Sequence, residues 1–286
     1  MKPEDFDFFS RFFKERSGLV LTPEKAYLLE SRLMPLARRS GMRGLDDLAA
    51  ALRANRDASL VRDATEAMTI NESFFFRDTK PFDLFRETIL PQLIEARAAR
   101  KSFRIWCAAS SSGQEPYSLA MILKEESARL AGWRTEIIAT DISTEMLDKA
   151  KAGMYSQFEV QRGLPIQLLV KYFQKQGDLW QIDAALRAMV QFREFNLLKD
   201  LRPLGNFDVV FCRNVLIYFD ASTKAKVLEG IGGIMPEDGV LFLGGAETVL
   251  GISDRFKPIP GQRGTYTPVP AAEGGAGASA SSALGR

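Results

Sequence analysis

The chain has 286 residues, of which 38 are Lys or Arg and 36 Asp or Glu; a net charge of +2 gives no global field suited to nucleic acid. An apolar content of 46% with 26% charged residues is that of a globular protein of about two domains, neither disordered nor built around membrane spans. There is no histidine, which excludes a Ser-His-Asp triad, a Cys-His dyad and a His-ligated zinc centre.

The N-terminal stretch MKPEDFDFFSRFF places acids where a signal peptide needs an uninterrupted apolar run, and a cytoplasmic protein without membrane insertion is expected. Phe6, Phe9 and Phe13 stand at i, i+3 and i+7 and predict a first amphipathic helix stopped by Gly18. Thr22 and Pro23 read as the N-cap and first residue of a second helix, which Pro35 should kink or end near Met34. Leu45, Leu48 and Leu52 begin a third helix, and Leu60 to Met68 form a fourth. Residues 1–68 are therefore expected to be an all-α domain. A linker over 69–82 follows. Its three consecutive phenylalanines, Phe74 to Phe76, predict a buried connection that packs the two domains together.

From residue 83 to 270 the texture becomes α/β. Strands are predicted at Phe103 to Ala109, Glu136 to Thr140, Met189 to Phe195, Phe207 to Cys212 and Val240 to Leu243. Helices are expected near Pro116 to Leu130, Thr144 to Ala152 and Ser222 to Ile234. Near-continuous apolar strands alternating with helices predict a doubly wound, largely parallel sheet. Cys107 and Cys212 lie in these strands and are expected to be reduced core residues. The stretch from Gly153 to Ala188 is too long for a simple connection and predicts an inserted subdomain at about 155–188, with a hairpin around Gly177. Gly261 to Val269 could add a last antiparallel edge strand, and 271–286 should be a disordered tail.

In such a sheet ligands bind outside the carboxyl ends of the strands. The first strand runs into SSSGQEPYS (110–118), either a helix N-terminus facing a ligand or an ordinary turn; with Gly113 as its only glycine it lacks the dinucleotide fingerprint G-x-G-x-x-G. Asp141 ends the second strand, where it suits a ribose diol or merely caps the next helix. The third strand ends in Asn196 and Leu197, an amide beside an apolar surface, as an adenine would want. FDVVFCRNVLIYFD (207–220) sets Arg213, Asn214 and Tyr218 at the fourth strand's end, and NESFFFRD (71–78) adds Asn71, Ser73 and Arg77.

Taken in order, NESFFFRD, CAASSSGQEPYS, ATDIS, NLL and FCRNVLIYF resemble the chemotaxis receptor glutamate methyltransferases, the CheR family, over about residues 5–268. The resemblance implies a Rossmann-like methyltransferase domain with a small inserted β-subdomain behind an all-α domain. It implies S-adenosylmethionine as cofactor, S-adenosylhomocysteine as product and no metal. The implied reaction esterifies glutamates on the cytoplasmic helices of chemoreceptors. It further implies cofactor contacts from Asn71, Ser73, Arg77, Glu115, Asp141, Asn196, Leu197, Arg213 and Asn214, with Arg77 and Tyr218 in catalysis. This chain departs from many relatives in having Ser73 for Thr and Ser112-Gly113-Gln114-Glu115-Pro116 for Thr-Gly-Glu-Glu-Pro, changes that keep a hydroxyl or an amide. Its hairpin near Gln174 to Ile182 looks short beside relatives that hold a receptor pentapeptide, so pentapeptide-independent action is expected; separately, a monomer is expected.

Glutamate is already ionised at neutral pH, so a carboxylate nucleophile needs no general base and a histidine-free enzyme suffices. Between Ser31 and Arg56, six arginines face only Asp46 and Asp47. That surface, with Arg32, Arg38 and Arg39, is expected to dock acidic receptor helices. An acceptor in another signalling pathway, or an adaptor that binds without methylating, are the alternatives.

Overall fold

The computed structural model describes residues 2–269; the expected tail at 271–286 lies outside them. The helical part comprises α1 (Pro3–Ser17), α2 (Ala26–Arg39), α3 (Leu45–Ala54) and α4 (Ala58–Ala67). Each turns one apolar stripe inward: Phe9 and Phe13 of α1, Leu29, Leu33 and Leu36 of α2, Leu48 and Leu52 of α3, Leu60 and Ala64 of α4 form one buried cluster. Gly18 closes α1 in the left-handed conformation.

Two helix-terminus expectations fail here. Thr22 makes no side-chain cap, and Pro23–Lys25 form a 3-10 turn ahead of α2. Pro35 neither ends nor breaks α2. A proline inside a helix costs about 3 kcal/mol through a lost hydrogen bond and a clash with the preceding turn. Pro35 faces solvent, where water can serve the freed carbonyl, while Leu29, Leu33, Leu36 and Ala37 bury the opposite face and outweigh that cost.

The linker runs into a continuous helical stretch that the sequence reading did not identify: α5 (Lys80–Leu84), a π-helical turn (Phe85–Ile89) and α6 (Leu90–Ala96). The α/β part then contains β1 (Ser102–Ala108), α7 (Gln114–Glu125), β2 (Arg134–Asp141) and α8 (Thr144–Ala152). After these come the insertion, β6 (Val190–Glu194), β7 (Val209–Cys212), α12 (Ala221–Gly232), β8 (Val240–Leu243), β9 (Phe256–Pro258) and β10 (Thr265–Pro268). The insertion holds β3 (Met154–Ser156), α9 (Gln157–Gln161), α10 (Ile166–Tyr172), β4 (Phe173–Gln176), β5 (Leu179–Ile182) and α11 (Ala184–Arg187), with the strands in a separate sheet of order β3-β5-β4.

The main sheet has the order β6-β2-β1-β7-β8-β10-β9, parallel from β6 to β8 and antiparallel at β10 and β9. Ile105 and Cys107, Val209 and Phe211, and Val240 and Phe242 enter one core layer; Trp106 and Ala108, Val210 and Cys212, and Leu241 and Leu243 enter the other. Both faces being covered explains why these strands read as apolar runs. The last strand pairs antiparallel as expected, but it is not the edge: β9 lies outside it, three residues ending in Pro258, where an edge tolerates a missing N–H.

The phenylalanines of the linker also pack differently from expectation. Phe75 and Phe76 join the α/β core, where Phe75 meets Tyr155 and Phe173 of the insertion edge-on, and neither enters the helical core. Gly163 seals this junction: its φ is +83°, and a Cβ there would stand 2.1 Å from the Phe75 carbonyl oxygen. The two parts are joined instead by polar contacts. Glu66 of α4 accepts hydrogen bonds from Ser143 Oγ (3.2 Å), Thr144 N (3.1 Å) and Thr144 Oγ1 (2.9 Å) at the start of α8. Lys14 pairs with Asp220 at 2.7 Å, and Val20 N donates to the Tyr218 carbonyl at 2.9 Å. Among the described residues no helix is long and apolar enough to cross a membrane.

Candidate active site

The chain fills β1, β2 and β6 on one side, then crosses to β7 and β8 on the other, which makes a switch point beside β1. A cleft of about 1020 Å³, open mouth included, lies there, walled by the residues that leave β1, β2, β6 and β7. The linker and the helical part complete it. Asn71, Ser73, Arg77, Glu115, Asp141, Asn196, Leu197, Arg213, Asn214 and Tyr218 all line this one cleft. Arg38 and Arg39 do not; they are exposed at the end of α2. Arg32 is half-buried and donates to the Thr69 carbonyl, so it ties α2 to the linker.

The turn after β1 is tightly wound, with Ala109, Ser111 and Gly113 all at positive φ. A Cβ on Gly113 would stand 2.9 Å from that of Ala150, so only glycine lets α7 lie against α8 here. This turn sets Glu115 in the first turn of α7. Burial pushes the Glu115 carboxyl above the usual carboxylate range, and Arg213 beside it pulls it partly back. Arg213, leaving β7 with its side chain only 1% exposed, donates to Glu115 Oε2 at 3.0 Å, to the Arg77 carbonyl at 2.9 Å and to Asp78 Oδ2 at 2.7 Å. It therefore fastens the linker to the sheet. Phe76, Asp78 and Thr79 in that linker are non-glycine residues at positive φ, a conformation that costs of order 1–3 kcal/mol each and persists only where the surroundings impose it.

Asp141 ends β2 with one oxygen accepting from Ser111 N (2.8 Å) and the other from Ser143 N (2.9 Å). It thus helps organise the next helix and still lines the cleft. Its burial raises the carboxyl while these N–H groups hold it down. Asn196 gives its amide to the Arg16 carbonyl (2.6 Å) and accepts from Leu198 N (3.0 Å), and Leu197 is buried beside it. Arg77 donates to the Glu72 carbonyl at 2.9 Å and lies 5.5 Å over the Phe74 ring, which Arg162 of the insertion covers at 4.3 Å. Tyr218 is half-buried, and burial pushes its phenol up, against the opposing charge of Arg77.

Sequence reasoning missed the part of the wall made by Ser17, Leu19 and Met68, which carry no local signature. It also missed Ser111, whose hydroxyl fixes the Asn71 carbonyl at 2.8 Å. Two buried polar atoms in the wall, Ser110 Oγ and Arg213 Nε, lack a hydrogen-bond partner, a state buried groups rarely keep. Together with two buried carboxylates, they suit a ligand with hydroxyl or ammonium donors and its own acceptors. Among the described residues no cluster of three or more acidic or cysteine side chains is arranged to hold a metal.

Comparison with known proteins gives the same chemistry. Residues 4–69 match the CheR methyltransferase all-alpha domain, and residues 71–265 match the CheR methyltransferase SAM binding domain. Chemotaxis protein methyltransferase 1 of Pseudomonas aeruginosa is 41% identical over 259 residues, which cover 89% of this chain and 94% of that protein. Chemotaxis protein methyltransferase Cher2 of Pseudomonas putida is 39% identical with the same coverage. The chemotaxis protein methyltransferase of Borreliella burgdorferi is 35% identical over 82% of this chain and 84% of that one. With both parts of its architecture matched, this chain belongs to the CheR family of S-adenosylmethionine-dependent methyltransferases.

Proposed function

We propose that this chain transfers the methyl group of S-adenosylmethionine to glutamate side chains on the cytoplasmic helices of chemoreceptors, forming methyl esters. The observation that carries this reading is one cleft that combines two buried carboxylates, Glu115 and Asp141, with the cationic and phenolic side chains of Arg77 and Tyr218. The carboxylates suit a cationic nucleoside cofactor; Arg77 and Tyr218 suit an anionic acceptor. The names of the relatives support the chemotaxis setting. The reading includes action as a monomer, without binding of a receptor C-terminal pentapeptide.

When bound, the cofactor supplies an electrophilic methyl on a sulfonium. Glu115 would hold its ammonium, Asp141 its ribose diol, Asn196 and Leu197 its adenine, with Ser110 Oγ and Arg213 Nε free to meet its acceptors. The acceptor glutamate arrives ionised, so the protein has no proton to remove. Because the acceptor carboxylate would be neutralised as it takes up the methyl, the protein's main contribution would be positioning with partial exclusion of water. Arg77, steadied by the Glu72 carbonyl and Phe74, orients the acceptor without gripping it. A tight ion pair would stabilise the ground state more than the transition state. The Tyr218 hydroxyl is protonated at neutral pH, as phenols are, and burial pushes its pKa further up, so it donates to the acceptor carboxylate. Tyr218→Phe should lower kcat/KM about tenfold, the value of one hydrogen bond to a charged group; full turnover in steady-state assays would remove that role.

Docking uses the arginines at the end of α2. Arg43 is paired with Asp47 and Arg53 with Asp5, whereas Arg38 and Arg39 have no ion-pair partner among the described residues. Reversing both to Glu should raise the apparent KM for receptor about tenfold at low salt, less as salt screens the field, and leave cofactor affinity unchanged. Equal KM values at low and high salt would rule out docking there.

The deciding experiment is transfer of radiolabelled methyl to receptor-containing membranes, followed by release of methanol in base, with Arg77→Ala as control. Base-labile label on receptors, lost in the variant, is the expected result. Cofactor binding without receptor labelling would point to an acceptor in another pathway or to an adaptor.

A further inference from the structure

Glu247 lies in the loop that leaves β8, and its residue is 9% exposed. Its carboxylate has no cationic partner among the described residues. Instead it accepts four backbone N–H groups: Oε2 takes those of Asn214 (2.8 Å) and Gly244 (2.6 Å), and Oε1 those of Val215 (3.0 Å) and Ile217 (3.3 Å). Three of the four belong to the turn after β7. Asn214 in that turn is a non-glycine residue at φ +60°, and Leu216–Tyr218 form a 3-10 turn. A Cβ on Gly244 would stand 2.7 Å from both Asn214 Nδ2 and Glu247 Oε2, so the exits of β7 and β8 are pressed together around the carboxylate.

We propose that Glu247 is a positioning residue for methyl transfer, holding the Asn214–Tyr218 turn so that the Asn214 amide and the Tyr218 hydroxyl face the cleft. This rests on the glutamate methyltransferase reading above. Buried N–H groups demand an acceptor, and here one anion meets four of them at the base of a turn whose residues Asn214 and Tyr218 line the site. The geometry links the exit of β8, which contributes no residue to the cleft wall, to both of them.

Glu247→Gln keeps the shape but replaces one oxygen by a donor, leaving two of the four N–H groups without an acceptor. In the full chain with S-adenosylhomocysteine bound, amide hydrogen exchange should quicken at residues 214–217 and stay unchanged in α2. Affinity for S-adenosylhomocysteine should weaken. On receptor substrate kcat should fall by about 10²-fold, as for a small misplacement of reacting groups, with KM for receptor unchanged. The loss should not add to that of Tyr218→Phe: the double variant should be no slower than Glu247→Gln alone. Additive losses, or wild-type turnover in a folded Glu247→Gln chain, would overturn the proposal. Should the wild-type chain label no receptor glutamate, the reading of the substrate fails. The exchange and S-adenosylhomocysteine measurements then decide Glu247 alone, unchanged values overturning it. If Glu247→Gln does not fold, Glu247→Asp, with both oxygens one methylene short, takes its place with the same readouts.

Discussion

Arg213→Met is expected to destabilise the chain by about 3–5 kcal/mol, the cost of breaking a buried ion pair from one side, and to abolish methyl transfer. The guanidinium is the shared partner of Glu115, Asp78 and the Arg77 carbonyl. Without it Glu115 stays buried without its hydrogen-bonded countercharge, and the linker residues Phe76, Asp78 and Thr79 lose the anchor that holds them at positive φ. Arg77 loses its placement with them. The pH dependence has a definite sign. The folded-state carboxyl of Glu115 is already raised by burial, so the folded chain binds this proton more readily than the unfolded chain. The favourable contribution is present below the unfolded pKa and is lost as pH rises through the raised one. Removing Arg213 raises that pKa further, so the difference in stability from wild type should widen between mildly acidic and neutral pH. Urea unfolding at two pH values checks it; an equal loss at both would mean that Arg213 acts through packing and the linker alone. Arg213→Met with Glu115→Gln should recover part of the stability, because the second change removes the stranded charge.

The features legible in the sequence are those whose physics is local. β1, β7 and β8 could be read because alternate residues feed two core layers, which leaves an apolar run. The polar wall of the cleft could be located because a parallel sheet delivers it in short segments at strand ends, as with Asp141 after β2 and Arg213 after β7. What could not be read depends on residues far apart in sequence. The helical stretch from Lys80 to Ala96 contains Pro91 and a π-helical turn, which disturb the 3.6-residue period. Pro35 reads as a breaker because its tolerance depends on which face of α2 is wet. Phe75 points to a buried linker, yet only the tertiary structure reveals that its partners are Tyr155 and Phe173. Glu66 and Glu247 look like ordinary surface acids until their donors, the Ser143 hydroxyl and the Asn214 N–H, 77 and 33 residues away, are seen.

Asp141→Asn should weaken S-adenosylhomocysteine binding by about 10²-fold, since one or two hydrogen bonds to a charged acceptor contribute roughly 1.5–3 kcal/mol each. The carboxylate already serves Ser111 N and Ser143 N, one with each oxygen, and its remaining lone pairs are what a ribose diol would use. An asparagine offers one acceptor oxygen, so either a backbone N–H or the diol meets an amide donor instead. Turnover at saturating cofactor should change far less, because Arg77 and Tyr218 come from the linker and the turn after β7, away from the end of β2. The wild-type carboxyl is raised by burial, with the charge of Glu66 adding to it. Protonation as pH falls through that raised value therefore removes the acceptor, and the affinity of wild type should decline on the acid side. Glu115, also raised, adds to the same decline, so Asp141→Asn should show a shallower acid limb and not a flat one. Calorimetric titration across this pH range measures both quantities. An unchanged dissociation constant in Asp141→Asn would leave Asp141 with no part in binding and reduce it to the residue that organises the start of α8.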